Sequence, residues 1–91
     1  MAGIVAIIVK IMPESPSVDL AGIKDGTLKI LEKEGAKNVS FEERPIAFGL
    51  TAVMVKFAWP EEKDSSTYED ALAEIEGVSS ATTEDYRRAF G

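Results

Sequence analysis

The side chains available for chemistry in this chain are limited in type. Its 91 residues include no cysteine and no histidine. The chain therefore has no thiolate nucleophile, no zinc–sulfur site and neither the usual general base nor the commonest metal ligand. Any catalysis would depend on carboxylates, lysines, arginines and hydroxyls. We expect no catalytic residues, no cofactor and no metal site.

The sixteen carboxylates suggest no acid–base pair. Glu42 and Glu43 are adjacent, so in a strand they point to opposite faces. The others of note fall in a polar turn or on a predicted helix: Glu61, Glu62, Asp64, Glu69, Asp70, Glu74 and Glu76. No Walker sequence, GxGxxG motif or nucleophile elbow occurs. We interpret these carboxylates as solvated surface groups.

The charge balance favours a protein partner. The formal net charge is −6, which disfavours direct nucleic-acid binding and suits a basic protein surface. Arg87 and Arg88 are the only adjacent basic pair, and Phe90 follows them closely. They are either a solvated tail or a cationic group delivered to an anionic site of a partner, because guanidinium suits phosphate and carboxylate.

A stretch at residues 44–59, RPIAFGLTAVMVKFAW, organises the predicted fold. It is the longest nearly unbroken apolar run, and its β-branched and aromatic content predicts an interior strand. Residues 3–12 predict a second interior strand. The head of the long stretch, residues 45–49, breaks the pattern with a proline and a glycine, which predicts a bend. Phe48 would lie at the tip of that bend, or it would simply cap the core, as composition alone favours.

The remaining elements complete a known arrangement. Asp19 is predicted to cap a helix to about residue 34, and Ser66 to open a second helix through a capping box with Glu69. Residues 38–44 predict an edge strand, and residues 78–88 the last strand. The order β-α-β-β-α-β predicts an α+β, ferredoxin-like sandwich with a four-stranded antiparallel sheet and two helices on one face. We expect a single domain over residues 1–91, with the first and third strands in the middle.

This arrangement leaves one sheet face without helices. Six apolar residues would line it: Ile4, Ala6, Ile8, Leu50, Ala52 and Met54. Such a patch indicates an interaction site, unless loops or the C-terminal tail cover it. The apolar run of residues 3–12 is interrupted by Lys10 and falls short of the ~18 residues that cross a bilayer. We expect no membrane association and a cytoplasmic protein.

Five short motifs carry a resemblance to a known family. They are Met12-Pro13-Glu14-Ser15-Pro16, Val18-Asp19-Leu20, Pro45-Ile46-Ala47-Phe48-Gly49-Leu50, Glu74-Ile75-Glu76-Gly77-Val78, and Asp85 followed by Arg87-Arg88. With these motifs in order over nearly its whole length, the chain resembles the archaeal translation elongation factor 1-beta family. The resemblance implies a guanine nucleotide exchange factor for the elongation factor 1-alpha GTPase, with no bond chemistry of its own.

The resemblance also implies where the partner binds. The expected partner-binding residues are Pro45, Ile46, Ala47, Phe48, Gly49, Arg87, Arg88 and Phe90. Relatives of this family direct a C-terminal lysine to the Mg²⁺ site of the partner, whereas this chain ends Ala89-Phe90-Gly91. Either Arg87 or Arg88 takes that role, or the Mg²⁺ ion is disturbed indirectly. The free protein is expected to be a monomer.

One alternative function follows from the predicted fold rather than from the resemblance. A small ferredoxin-like domain could regulate or bind a ligand, and dimerise through the face of the sheet that carries no helices. This hypothesis requires a stable dimer that buries the apolar patch.

Overall fold

The computed structural model describes residues 3–64 and 66–88, with the backbone alone for Ser66 and Arg88. Its strands and helices follow in the order β1 (Ile4–Pro13), α1 (Leu20–Lys33), β2 (Lys37–Pro45), β3 (Thr51–Pro60), α2 (Ser66–Ala73) and β4 (Val78–Arg88). A single 3₁₀ turn, Ala47–Gly49, lies between β2 and β3. This order confirms the predicted β-α-β-β-α-β sequence of elements.

The four strands form one antiparallel sheet in the order β2-β3-β1-β4. The two strands with the most apolar sequences, β1 and β3, therefore occupy the centre, as predicted. Burial on both sides of a strand requires apolar residues at successive positions, whereas an edge strand tolerates charge. The ferredoxin-like α+β class is confirmed.

The core lies between the sheet and the two helices. Every second residue of β1 and β3 points into it, and the helices contribute the remaining large side chains: Val5, Ile7, Val9, Ile11, Val53, Val55, Phe57, Trp59, Ile23, Leu31, Tyr68 and Leu72. Three aromatic rings meet edge to face, with centroids 5.8 Å apart for Phe57–Trp59, 5.2 Å for Phe57–Tyr68 and 5.0 Å for Trp59–Tyr68. This geometry suits the ring quadrupoles and adds to the gain from burial.

Helix α1 begins and ends where its sequence predicts. The Asp19 carboxylate accepts a hydrogen bond of 3.0 Å from the backbone N–H of Ala21, so Asp19 is the N-cap. Gly35, at φ +95°, follows the last turn. Inside the helix, Gly26 faces Ile75, and a Cβ at Gly26 would lie 3.5 Å from that side chain. The glycine therefore accommodates the connection that follows α2.

Two other boundaries differ from the predictions. β1 continues through Pro13, which pairs with Val78 after an irregularity in the ladder, because a proline at the last strand position removes only a terminal donor. Gly77 is the residue at which the sequence predicts the end of α2, but the helix ends at Ala73. The chain then continues in turns closed by i to i−3 hydrogen bonds, such as the bond of 3.0 Å from Val78 N to Ile75 O.

The predicted capping box of α2 would pair Ser66 with Glu69. The side chain of Ser66 lies outside the described part of the chain. The Glu69 carboxylate accepts 2.6 Å from the Thr83 hydroxyl and 3.3 Å from the Thr83 backbone N–H. Glu69 therefore fastens α2 to β4.

Tyr68 belongs to the same network. Its hydroxyl lies 2.9 Å from that of Thr83. Because Thr83 donates its only hydroxyl proton to Glu69, Tyr68 must donate to Thr83. Burial raises the pKa of the Tyr68 hydroxyl above its ordinary value of 10.0, and the negative charge of Glu69 raises the pKa further.

The connection between β3 and α2 is fastened in a different way. The indole N–H of Trp59 donates to the carbonyl oxygen of Lys63 at 3.2 Å, and the Lys63 ammonium lies 5.0 Å from the centre of the indole ring. The same ammonium donates to the carbonyl oxygen of Glu34 and lies 3.5 Å from its carboxylate. One lysine thus joins β3 to the C-terminal end of α1.

Candidate functional site

The bend between β2 and β3 is a closed turn. Pro45 and Thr51 form the last residue pair of the two strands. Beyond them the backbone N–H of Ile46 donates to the carbonyl of Leu50 at 2.8 Å, and the N–H of Leu50 donates to the carbonyl of Ala47 at 3.3 Å. Both bonds join backbone groups, so they close the turn without using any side chain.

Phe48 occupies the tip of the bend and points to solvent. It has φ +64° and ψ +29°, in the left-handed region that disfavours residues with a Cβ, and Gly49 follows at φ +74°. The Phe48 side chain is 93% exposed. The interpretation in which it caps the core is therefore wrong. An exposed aromatic ring on a strained residue is a feature that stability alone does not explain.

Neighbouring loops support the bend. A side chain at Gly49 would lie 3.9 Å from the ring of Pro16, which belongs to the β1–α1 connection. That connection is itself joined to the α2–β4 turn, because the N–H of Glu14 donates to the carbonyl of Gly77 at 2.8 Å. Val18 packs so closely on Gly77 that a Cβ there would lie 2.8 Å from a valine methyl. Four of the five sequence motifs thus meet at one end of the sheet.

The end of β4 carries the predicted cationic group. The Arg87 side chain is 79% exposed, and its Nε lies 3.0 Å from a carboxylate oxygen of Asp85. The other oxygen of Asp85 accepts from the backbone N–H of Tyr86 at 2.9 Å. Arg88 pairs with Val5 through its backbone. Its side chain and the whole of Phe90 lie outside the residues that the structure describes.

The structure does not bring the two groups of predicted residues together. Arg87 pairs with Ala6 of β1, which pairs in turn with Ala58 near the end of β3. The bend lies at the opposite end of β3, immediately before Thr51. Seven residues of strand separate them, which corresponds to about 23 Å. Phe48 and Arg87 therefore lie at opposite ends of the sheet and cannot contact the same point of a partner.

Asp85 belongs to the last of the five sequence motifs, but the sequence alone suggests no role for it. It lies next to a β-bulge, since Ile8 pairs with Asp85 and Val9 with Thr83, and Glu84 has no partner on β1. Asp85 and Arg87 are two residues apart, so strand alternation alone places them on one face. The bulge puts that face on the side of Ile8 and Ala6 instead of the side of Thr83, and this choice of side could not be predicted from the sequence.

The face of the sheet without helices, here called the open face, is less apolar at its surface than predicted. Ala52 is fully buried and Met54 is 6% exposed, although no helix covers them. Their partners across the ladder carry long side chains, Arg44 opposite Ala52, and Glu42 and Lys10 opposite Met54. Of the large hydrophobic residues predicted on this face, Ile4 is the exposed one, at 44%. Ala52 and Met54 therefore contribute little to the surface of the predicted patch, whereas Ile4 is exposed and Ala6, Ile8 and Leu50 are half-buried.

Neither a metal centre nor a membrane segment is found where the structure describes the chain. Over residues 3–64 and 66–88, no three carboxylates lie close enough together to hold an ion. None of the helices in that part is long and apolar enough to cross a bilayer. The geometry that remains is an exposed aromatic bend and a cationic strand end on a rigid sheet, which suits contact with another macromolecule.

These features define a small α+β interaction domain, and sequence comparison gives its family. The profile of the EF-1 guanine nucleotide exchange domain matches residues 6–88. Elongation factor 1-beta of Methanothermobacter thermautotrophicus is 40% identical over 89 residues, which is 94% of this chain and 97% of the relative. Elongation factor 1-beta of Methanocella arvoryzae is 38% identical over 91 residues, covering 99% and 100%. That of Methanoculleus marisnigri is 41% identical over 80 residues, covering 87% and 89%.

The chain belongs to the family of EF-1 guanine nucleotide exchange domains. The resemblance inferred from the five motifs is confirmed. Membership places the chain among translation elongation factors with a role in guanine nucleotide exchange, a family whose members do not catalyse bond chemistry.

Proposed function

We propose that this protein promotes the exchange of GDP for GTP on the elongation factor 1-alpha GTPase, by disturbing the Mg²⁺ and phosphate contacts and the switch region of that partner. Residues 45–49 and the end of β4, with Arg87, Arg88 and Phe90, would make the contacts. The family and the names of the relatives support exchange as the role. The exposure of Phe48 and Arg87 supports the assignment of those two residues, whereas Arg88 and Phe90 are proposed from the family resemblance alone.

One observation supports the bend most directly, namely that Phe48 is 93% exposed on a left-handed residue. A left-handed non-glycine residue costs about 1 to 2 kcal/mol. Exposing the ring forfeits a further gain from burial. Both costs are recovered if the ring inserts into an apolar pocket of the partner, since buried aromatic anchors dominate protein interfaces.

The position of Arg87 supports a second contact. GDP is held largely through its phosphates and through a Mg²⁺ ion that keeps several waters. A guanidinium placed near that ion would repel it and compete for its phosphate ligands. Asp85 lies 3.0 Å from Arg87 and orients it along the strand end. Arg87 or Arg88 would act in this way, or the Mg²⁺ ion would be displaced indirectly through the switch region.

Because the two ends of the sheet lie about 23 Å apart, they would engage separate parts of the partner. The rigid sheet then fixes the distance between the two contacts. A partner conformation with a loosened nucleotide site would fit that distance better than the nucleotide-bound conformation. Coupling of this kind is reciprocal, so bound nucleotide must loosen the factor by the same ratio.

The direction of exchange then depends on the nucleotide pool and not on the factor. The factor changes no covalent bond; it speeds release, and the more abundant nucleotide rebinds. We propose that residues 1–91 act as one exchange domain, monomeric when free, in the cytoplasm, without direct contact to nucleic acid or membrane.

The test is stopped-flow release of a fluorescent GDP from the elongation factor 1-alpha GTPase, with and without this protein. We expect catalytic amounts of the protein to accelerate release. An equal concentration of an unrelated acidic protein is the control. Unchanged release would contradict the proposal.

A second arm of the experiment separates the two mechanisms. Excess EDTA removes Mg²⁺ and raises the basal release rate. If the factor acts through the Mg²⁺ ion, its fold-acceleration must fall in EDTA. An equal fold-acceleration with and without Mg²⁺ would contradict action at the ion and leave the switch region as the point of action.

A further inference from the structure

The charges on the open face differ in sign from those on the rest of the chain. By strand register and by the Lys10–Glu84 ion pair, the charged residues on this face are Lys10, Lys37, Arg44, Lys56, Arg87, Glu42, Glu84 and Asp85. It thus holds five of the ten basic residues but only three of the sixteen acidic ones. The open face carries a net charge of +2, and the remainder of the chain therefore carries −8. The overall negative charge conceals a positive face.

Some of these cations are neutralised and others are not. Lys10 lies 3.8 Å from Glu84, and Arg87 pairs with Asp85 at 3.0 Å. Lys37, Arg44 and Lys56 are exposed and have no ion pair with any residue that the structure describes. All three lie on β2 or β3, so the unneutralised charge is concentrated on that half of the open face.

A cavity lies between two of these unpaired cations, Arg44 and Lys56. It has a volume of about 170 Å³, with Ile8 and Met54 among its apolar lining and Ser40, Glu42, Arg44 and Lys56 among its polar lining. This volume admits one medium-sized apolar side chain. An apolar recess with unpaired cations beside it suits a chain segment that offers an apolar anchor flanked by carboxylates.

We propose that the open face docks an acidic polypeptide segment, with an apolar side chain in the cavity above Ile8 and Met54 and its carboxylates on Arg44 and Lys56. This surface is separate from the bend and is not required by the exchange function proposed above. The basic partner predicted from the sequence follows from the net negative charge of the whole chain. A ligand of the open face must instead be acidic, because this face is positively charged.

A second copy of this chain fits the face poorly. Two open faces packed together would oppose +2 to +2. The open face of one copy could attract the acidic helix side of another, but that contact is heterologous and would build open filaments instead of a closed dimer. Charge therefore argues against the dimer that the alternative function requires.

Nucleic acid also fits the face poorly. Single-stranded nucleic acid binds where aromatic rings stack on bases, and the central positions of this face are Ala6, Ile8, Ala52 and Met54. The net charge of −8 on the rest of the chain would repel a long phosphate backbone. A short acidic polypeptide avoids both difficulties.

The test is an NMR titration of the ¹⁵N-labelled protein with an end-blocked oligo-glutamate peptide that carries one central leucine. We expect the amide shifts to concentrate at Ile8, Ser40, Met54 and Lys56. The same peptide without leucine should bind more weakly, because the cavity is then empty. Binding should weaken as salt is added, as it does for exposed charges.

Matched variants decide whether the face is responsible. Neutralising the two cations beside the cavity in Arg44→Gln/Lys56→Gln should weaken peptide binding about three- to tenfold, the sum of two exposed ion pairs. Lys29→Gln/Lys33→Gln removes the same charge from α1 and should leave the affinity unchanged. The amide spectrum of each variant shows whether it is folded.

Three outcomes would overturn the proposal. The first is equal weakening by both double variants, which would mean that only net charge matters. The second is a shift pattern confined to the bend or to the end of β4. The third is single-stranded DNA binding as tightly as the leucine-bearing peptide, which would make the face a general polyanion site.

Discussion

Two phenylalanines nine residues apart, Phe48 in the turn before β3 and Phe57 within β3, differ completely in burial. Phe57 is 1% exposed and Phe48 is 93% exposed. Phe57 lies in β3 on the side of the helices, where its ring meets those of Trp59 and Tyr68. Phe48 lies in a turn whose backbone bonds leave its side chain without support. The same side chain thus belongs to the core at one position and is left to solvent at the other.

The difference between the two ends lies in how the backbone is used. At the buried end, regular strand geometry delivers alternate side chains to the core. At the bend, the left-handed conformation of Phe48 turns its side chain away from the core, and Gly49 at φ +74° allows the chain to continue. A strained exposed residue supported by a rigid sheet is an arrangement suited to a preorganised contact.

The largest effect is expected from Phe57→Ala, which removes a ring from the aromatic cluster. Phe→Ala substitutions in cores cost about 3 to 5 kcal/mol, a large part of the roughly 5 to 14 kcal/mol expected for a chain of this length. The variant should unfold at far lower urea concentration than the parent. Chemical denaturation followed by tryptophan fluorescence measures this, since Trp59 is fully buried.

Phe48→Ala is the matched control for that variant, because it makes the same substitution nine residues earlier, at an exposed position of the turn before β3. Its free energy of unfolding should change by less than about 0.5 kcal/mol, as for exposed sites. Equal destabilisation by the two variants would contradict the comparison and return Phe48 to a structural role.

The second largest effect is expected on exchange, not on folding. If Phe48 is an anchor in the interface, Phe48→Ala loses about 2 kcal/mol of binding, which corresponds to about 30-fold. The concentration of factor that gives half-maximal release of fluorescent GDP should rise by that ratio. Phe48→Tyr keeps the ring and should retain most of the effect, so activity lost equally in both variants would count against an aromatic anchor.

The sequence was sufficient to predict the fold because patterns of burial are local. The apolar runs of residues 3–12 and 44–59 predict two interior strands, β1 and β3, and Asp19 correctly predicts the start of α1. The order of the elements, with right-handed crossovers, independently places the same two strands in the middle of the sheet. The bend was predicted from Pro45 and Gly49, because each restricts or permits particular backbone angles.

The candidate site was less predictable because it depends on contacts distant in sequence. Whether Phe48 pointed in or out depended on a left-handed φ that no neighbouring residue dictates. Lys63 lies in the same polar turn as Glu61 and Glu62, yet its carbonyl accepts from Trp59 and its ammonium reaches Glu34, which is 29 residues earlier in the chain. The long side chains that flank Ala52 and Met54 come from two other strands, so their coverage of the open face was not visible in either strand alone.

A third prediction concerns the hydroxyl of Tyr68 in the buried cluster. Tyr68→Phe removes its hydrogen bond to Thr83 and should cost about 1 kcal/mol at neutral pH. Because burial raises its pKa above 10.0, the folded state keeps the proton that the unfolded state loses. The contribution of this group to the free energy of unfolding should therefore be constant below about pH 10 and fall as the pH rises toward the folded pKa.

The alkaline limb of stability checks this directly. The parent should lose stability between its neutral value and high pH, and Tyr68→Phe should lose less, so that the two curves converge. Parallel curves for parent and Tyr68→Phe would show that the buried phenol does not titrate with unfolding.

The smallest effect is expected from Thr27→Val, the converse of Phe48→Ala. Thr27 is fully buried in α1, and its hydroxyl finds no hydrogen-bond partner in the part of the chain that the structure describes. Valine has the same shape without the hydroxyl, so the desolvation cost of an unpaired polar group disappears, with a gain of up to about 1 kcal/mol. Urea denaturation should show that gain, and exchange activity should stay at the parental level because Thr27 faces the core. Thr67→Val, the same swap at an exposed position of α2, should give no comparable gain. A loss of stability in Thr27→Val would mean that the hydroxyl is bonded in solution; a change in exchange would mean that the buried and exposed ends of the molecule are coupled.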